Sequence, residues 1–110
     1  MTLSISEALS KGVDAHQTGK YDEAEKFYRF VLSTNPENPD ANHNLGSLSI
    51  IFNKIDDAIK YFKKALKANP KIEQFWVSYV GVLIDENRFS SAKLALSKAR
   101  KLGLPNNIIV

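Results

Sequence analysis

The feature that most constrains this chain is an interval of 34 residues. It separates Ala24, Ala58 and Ala92, and equally Tyr21, Ile55 and Phe89. Tyr28, Phe62 and Leu96 keep the same spacing, as do Val31, Ala65 and Ala99. Pro36 and Pro70 keep it too, whereas the third copy holds Leu104 in that slot and Pro105 one place late. A period of this length, with fixed small, aromatic and proline slots, belongs to stacked arrays of helical hairpins. Each hairpin buries its apolar face only against neighbours, so about three copies are needed for a self-supporting stack. At 110 residues the chain has room for three.

The local signals agree with six helices. Ser4 and Glu7 have capping-box spacing, which predicts a first helix from near Ser4 to about Thr18. Gly19 suits a left-handed position after it, and Asn53 and Asn87 can take the same conformation in the later copies. Asp22 is expected to open the second helix, with Glu23 and Glu25 suited to its positive end, and Asn35 before Pro36 to end it. Asn38-Pro39-Asp40 predicts the third start. The remaining helices are expected over about Asp56 to Asn69, Ile72 to Glu86 and Ser90 to Leu102. Apolar residues recur at helical rather than alternating spacing throughout, which argues against strands. The tail from Leu104 to Val110 is too short and broken for a further helix. Two helices pack closely only if one side of the contact is small, so Ala24, Ala58 and Ala92 are expected to face Gly12, Gly46 and Val80.

The pattern resembles the tetratricopeptide repeat. That family places a small residue in its first (A) helix, an alanine early in its second (B) helix and a proline at the close. The second copy carries this best, in Leu45, Gly46, Ala58, Phe62, Ala65 and Pro70. The third adds Trp76 and Tyr79 but departs at Val80, with Gly81 one place off. The first has Gly12 and holds Ala8 where the tryptophan belongs. The resemblance implies an all-α fold: a right-handed α-α superhelix of three hairpins and a short non-helical tail. The whole chain, 1–110, is then one unit with repeats near 5–38, 39–72 and 73–106.

Little in the sequence supports chemistry. There is no cysteine, and neither His16 nor His43 has a second ligand three or four residues on, so no metal site is expected. Leu45-Gly46-Ser47-Leu48-Ser49 lacks the glycines flanking a nucleophile elbow, and no phosphate-binding glycine loop appears. Asp56-Asp57 and Asp85-Glu86 are adjacent on helices and point about 100° apart, so neither is an acid-base dyad. No cofactor and no enzymatic activity are therefore expected. No apolar run is long enough for a bilayer. MTLSISEALSKG lacks the basic-then-apolar order of a secretory signal, which makes the cytoplasm the expected location. The net charge of +3 is uneven, with the lysines of the fourth and sixth helices carrying the excess. A solvated outer face accounts for them. An anion or nucleic-acid surface is the lesser alternative, because only Tyr61 and Phe62 interleave those lysines.

The resemblance also implies a function. In this family the A helices line a concave groove that holds a polypeptide segment. Mapped residue by residue, the groove here comprises Leu9, Val13 and His16 with Ser6, Ser10 and Gln17 in the first copy. The second supplies His43, Asn44, Ser47 and Ile51 with Asp40 and Ile50, and the third Gln74, Val77, Ser78 and Gly81 with Ile84 and Asp85. Asn44 resembles the family's groove asparagine, whose amide both donates to and accepts from a peptide backbone. Members that clamp a C-terminal carboxylate use lysines, asparagines and an arginine. The matching slots here are Leu9, Val13, Asn44, Gln74 and Ser78, which retain only the asparagine. A protein-interaction scaffold is the expectation. The alternative is a non-catalytic N-terminal docking module of a larger, transferase-like enzyme. Tyr79, Leu83, Leu94 and Leu102, with Ile108, Ile109 and Val110, suggest an uncapped apolar end through which copies could associate.

Overall fold

The computed structural model describes residues 3–105. Six helices follow one another: α1 (Ile5–Gln17), α2 (Tyr21–Thr34), α3 (Pro39–Ile51), α4 (Ile55–Ala68), α5 (Glu73–Asp85) and α6 (Phe89–Lys101). No strand occurs among the described residues. The helices pair as three hairpins, α1 with α2, α3 with α4 and α5 with α6, stacked into a body of 46 × 27 × 20 Å.

The helix boundaries follow from caps. At the start of α1 the Ser4 hydroxyl accepts the Glu7 N–H at 3.0 Å, and the Glu7 carboxylate accepts the Ser4 N–H at 3.1 Å. Asn38 caps α3 through Ala41, with Pro39 in the first turn. Each A helix ends in the same way. Gly19, Asn53 and Asn87 adopt φ of 79°, 59° and 59°, and the next residue donates its N–H back to Ala15, Ser49 or Leu83 at 2.7–2.8 Å. This reverses the chain in two residues and satisfies carbonyls that the helix end would otherwise leave open.

The B helices do not all end alike. Asn35 and Asn69 are extended, as a residue before proline prefers, and each side-chain oxygen accepts an N–H two residues on at 3.2 Å. In the third hairpin the equivalent slot is Gly103, at φ 82°. Moving the proline to position 105 frees Gly103 to turn left-handed, and Leu104 donates back to the Ala99 carbonyl at 3.1 Å. The tail residues Asn106 to Val110, expected to be non-helical, lie outside the described residues.

The small slots admit a close approach of the aromatic rings. A Cβ added at Gly12 would come within 2.5 Å of the Tyr28 ring, and one at Gly46 within 2.6 Å of the Phe62 ring. The nearest side chain to each A-helix glycine is therefore the B-helix aromatic, which sequence spacing did not single out. In the third hairpin the same two slots hold Val80 and Leu96, both within one apolar cluster. A larger residue on α5 is met by a smaller one on α6, which also explains the departure from the family pattern at Val80. The alanines Ala24, Ala58 and Ala92 are buried. Ala24 clusters with Leu45 and Leu48 of the following hairpin as well as with Tyr28 of its own.

The core is uneven. Thirteen buried residues of α4, α5 and α6 form one cluster, including Phe62, Phe75, Trp76, Val80 and Leu83. The helices α1, α2 and α3 share two smaller clusters of five and three buried residues. Proline carbonyls tie the hairpins together. The Trp76 indole donates to the Pro70 carbonyl at 2.8 Å, and Asn42, in the equivalent slot, donates its amide to the Pro36 carbonyl at 3.1 Å. Asn42 is fully buried, and its Oδ1 has no partner among the described residues. Of the residues expected to leave the last hairpin open, Leu83 is buried and Tyr79 and Leu102 are half-buried, while Leu94 is 65% exposed.

Gly46→Val is expected to destabilise the fold by about 1–3 kcal/mol through overpacking on Phe62. Adding Phe62→Leu, which reproduces the third hairpin, recovers part of that loss. Thermal melts of the two single variants and the double measure it, and strictly additive shifts would mean the two side chains are not in contact. Ala58→Leu is likewise expected to cost about 1–3 kcal/mol, read as a lower Tm. An unchanged Tm would mean that slot has room to spare.

Candidate peptide-binding face

The A helices α1, α3 and α5 bring the mapped residues to one side in two distinct settings. Between α1 and α3 lies a cleft of about 390 Å³ lined by Leu9, Ser10, Val13, Asp14, Asp40 and Asn44. Its apolar wall is the half-buried pair Leu9 and Val13. Asp14 and Asp40 stand at its edge as exposed carboxylates. No lysine or arginine lines it.

Between α3 and α5 the equivalent space is occupied from within. His43 stacks on Phe75 at 4.8 Å between ring centroids and lies 5.4 Å from Phe62. Its Nε2 is 2.8 Å from the Ser78 hydroxyl, and Gln74 donates to that same hydroxyl at 3.2 Å. His43 Nδ1 is 3.4 Å from Asn44 Oδ1. Register explains the contrast. Leu9 and Asn44 stand one repeat before His43 and Ser78. Leucine cannot hydrogen-bond, so the first junction keeps a cleft where the second is bridged.

Ser78, His43 and Asn44 have the residue types and one of the distances of a nucleophile, base and orienting group. The setting is wrong for catalysis. Ser78 lies inside α5, where backbone N–H groups are spent on the helix and cannot point at a developing oxyanion. The histidine is fixed between Phe62 and Phe75.

The other mapped residues divide clearly. Ile50 and Ile51 are 41% and 45% exposed, a pair of aliphatic side chains on α3 open to solvent. Gln74 is exposed, and Val77 is half-buried against the α4–α6 cluster. Gly81 is half-exposed, with open space where a Cβ would stand. Ser47 bonds back to the His43 carbonyl at 3.3 Å. His16 turns toward its own hairpin: its Nδ1 is 3.3 Å from the Tyr28 hydroxyl, and its ring meets Tyr21 and Tyr28 edge-on. It thus packs on the B helix of its own hairpin. Asp14 was missed because its slot holds buried Leu48 and Val82 in the later copies. Leu48 packs on the preceding hairpin, and α1 has none before it among the described residues.

Burial lowers the His43 pKa below its ordinary value of 6.5, opposed by the Asn44 contact and the Asp40 charge. Burial lowers His16 as well. Both groups therefore bind protons more readily when unfolded, and stability rises with pH between their folded values and about 6.5. The unfolding midpoint is expected to drop as pH falls from about 7 to about 5. His43→Asn should flatten much of that dependence. An equally steep profile in the variant would show that His43 does not titrate across unfolding.

Known proteins place this architecture. A sequence model of the tetratricopeptide repeat matches residues 14–38 and 39–72. Among solved structures, pilF of Pseudomonas aeruginosa superposes with TM-score 0.78 at 20% identity, covering 89% of this chain and 45% of that one. This chain thus spans less than half of that protein's length. The type III secretion chaperone SycD of Yersinia enterocolitica, in complex with a peptide of the translocator YopD, gives 0.79 at 19% identity, over 89% of this chain and 75% of that one. The TPR2B domain of yeast Sti1, in complex with pHsp70, gives 0.79 at 21% identity, over 88% and 78%. These likenesses establish the fold as an all-α superhelical array. With the matched repeats covering more than half of its length, the chain belongs to the tetratricopeptide repeat family.

Proposed function

We propose that the three hairpins, residues 5–38, 39–72 and 73–106, form one protein-interaction unit that holds a peptide segment on the A-helix face. The observation that carries this reading is the open cleft between α1 and α3, which joins Leu9, Val13 and Asn44. Two aliphatic side chains there desolvate a ligand, and the Asn44 amide offers a donor and an acceptor for its backbone. Ile50 and Ile51 extend the apolar strip along α3. The carboxylates of Asp14 and Asp40 favour a segment that is neutral or carries a positive charge beside its apolar anchor. They disfavour a free C-terminal carboxylate, in keeping with the missing clamp cations. Family members of this fold bound to a YopD peptide and to pHsp70 lend general support. The unit is read as non-catalytic and cytoplasmic; none of the described helices is long and apolar enough to cross a membrane.

A second reading, association of copies through the last hairpin, rests on Phe89 and Leu94, 54% and 65% exposed. Sedimentation that finds only monomer at high concentration removes it.

Selection of peptides from a random display library on the immobilised protein tests the main reading. Selected sequences are expected to pair an aliphatic anchor with lysine or arginine. Their affinity should fall roughly tenfold or more in Asn44→Ala and in Ile51→Asp. Equal binding by wild type and both variants would place the ligand elsewhere.

A further inference from the structure

A cleft of about 690 Å³ lies on the B-helix side, between α4 and α6. Its floor includes Trp76 and Tyr79 of α5 and Leu66 of α4. Four lysines, Lys63, Lys67, Lys98 and Lys101, line it, and no carboxylate does. None of the four is in an ion pair among the described residues, and all are exposed.

The repeat supplies an internal comparison. One repeat earlier, the matching space between α2 and α4 is crossed by Tyr61, whose hydroxyl lies 3.4 Å from Arg29 Nη1 of α2 and whose ring packs on the cluster of Tyr28 and Leu45. What stays open there is a smaller cleft at the Pro36 end, of about 390 Å³. The residue in the Tyr61 slot of the third copy is Ala95, buried in the wall of the larger cleft. The fold thus leaves, at the second junction, the space that an aromatic side chain fills at the first. It surrounds that space with unpaired positive charge.

We propose that the α4–α6 cleft is a second docking site, for an acidic peptide segment that inserts an aromatic side chain over Ala95 and sets its carboxylates against the rim lysines. Charge complementarity names the occupant: an apolar floor alone would accept any hydrophobic segment, but four free ammonium groups select a flanking negative charge. An exposed lysine–carboxylate pair contributes little by itself. Several pairs around one aromatic anchor in a desolvated pocket act together. This site is independent of the α1–α3 cleft, which is edged by carboxylates and suits the opposite charge.

Trp76 is the only tryptophan in the chain, so its fluorescence reports the cleft directly. The probe is the blocked peptide Asp-Glu-Phe-Glu-Asp, compared with Asn-Gln-Phe-Gln-Asn and Asp-Glu-Ala-Glu-Asp. The acidic aromatic probe is expected to shift Trp76 emission saturably, and each control to bind about tenfold or more weakly. Ala95→Tyr, which restores the side chain found at position 61, and Lys67→Glu with Lys98→Glu should each weaken the probe by about tenfold or more. Ile51→Asp should leave it unchanged. The lysine variant lies on the surface and keeps the test decisive if Ala95→Tyr fails to fold. The proposal is overturned by a probe that does not bind at about millimolar concentration. Binding that survives both Ala95→Tyr and Lys67→Glu with Lys98→Glu, or that is lost in Ile51→Asp, overturns it as well. So does sedimentation showing copies that associate through this face and separate in Ala95→Tyr, since the occupant would then be a second copy.

Discussion

The close crossing of two helices within each hairpin is the contact from which the rest of the array follows. Gly12 lies beneath Tyr28 and Gly46 beneath Phe62, at distances where no side chain would fit. The aromatic ring can come this close to the A helix only because the glycine presents bare backbone. That places the B-helix aromatic at the centre of the hairpin and fixes how the next A helix packs behind it. The third hairpin holds Val80 and Leu96 in the same two slots, both within one apolar cluster, so the bulk there is divided between the two helices instead of resting on one ring.

Repetition then makes small substitutions informative. The three copies share a backbone plan, so a change at one slot leaves a definable difference between junctions. Replacing Leu9 and Asn44 by His43 and Ser78 turns an open cleft into a bridged one. Replacing Tyr61 by Ala95 does the reverse on the other side. The two open surfaces belong to different junctions and carry opposite charge, one edged by Asp14 and Asp40 and the other by four lysines. Under the proposed function, two such surfaces would sort partners by charge before shape.

The fold was legible in the sequence because the period, the caps and the left-handed turns are local signals. Ser4, Asn38, Gly19, Asn53 and Asn87 each act through neighbours a few residues away. The contacts across helices were less legible. The alanine interval is conspicuous, but interval alone does not say which neighbour a residue meets, and the rings of Tyr28 and Phe62 proved to be nearest to the glycines. His16 shows the same limit: its slot maps to the A-helix face, yet Tyr28 offers it a hydroxyl within the hairpin. The carboxylate of Asp14 escaped notice because its counterparts, Leu48 and Val82, are buried. The lysines of α4 and α6 were visible as a basic excess, but the cleft between them was not, because an absent side chain at Ala95 leaves no mark in a composition.

The uneven division of the core has a further consequence. A stack of repeats holds together through nearest neighbours, so its joints need not be equally strong. The large cluster of α4, α5 and α6 makes a firm C-terminal half, whereas α1, α2 and α3 rest on two modest clusters and on an asparagine with an unsatisfied buried oxygen. Opening of one joint is therefore expected to leave the other clusters in place, read as amide exchange that differs between the three hairpins. The α1–α3 cleft spans the joint between the first two hairpins, so under the proposed function an occupant would clasp one to the other, and its arrival is expected to register as added rigidity across the first hairpin.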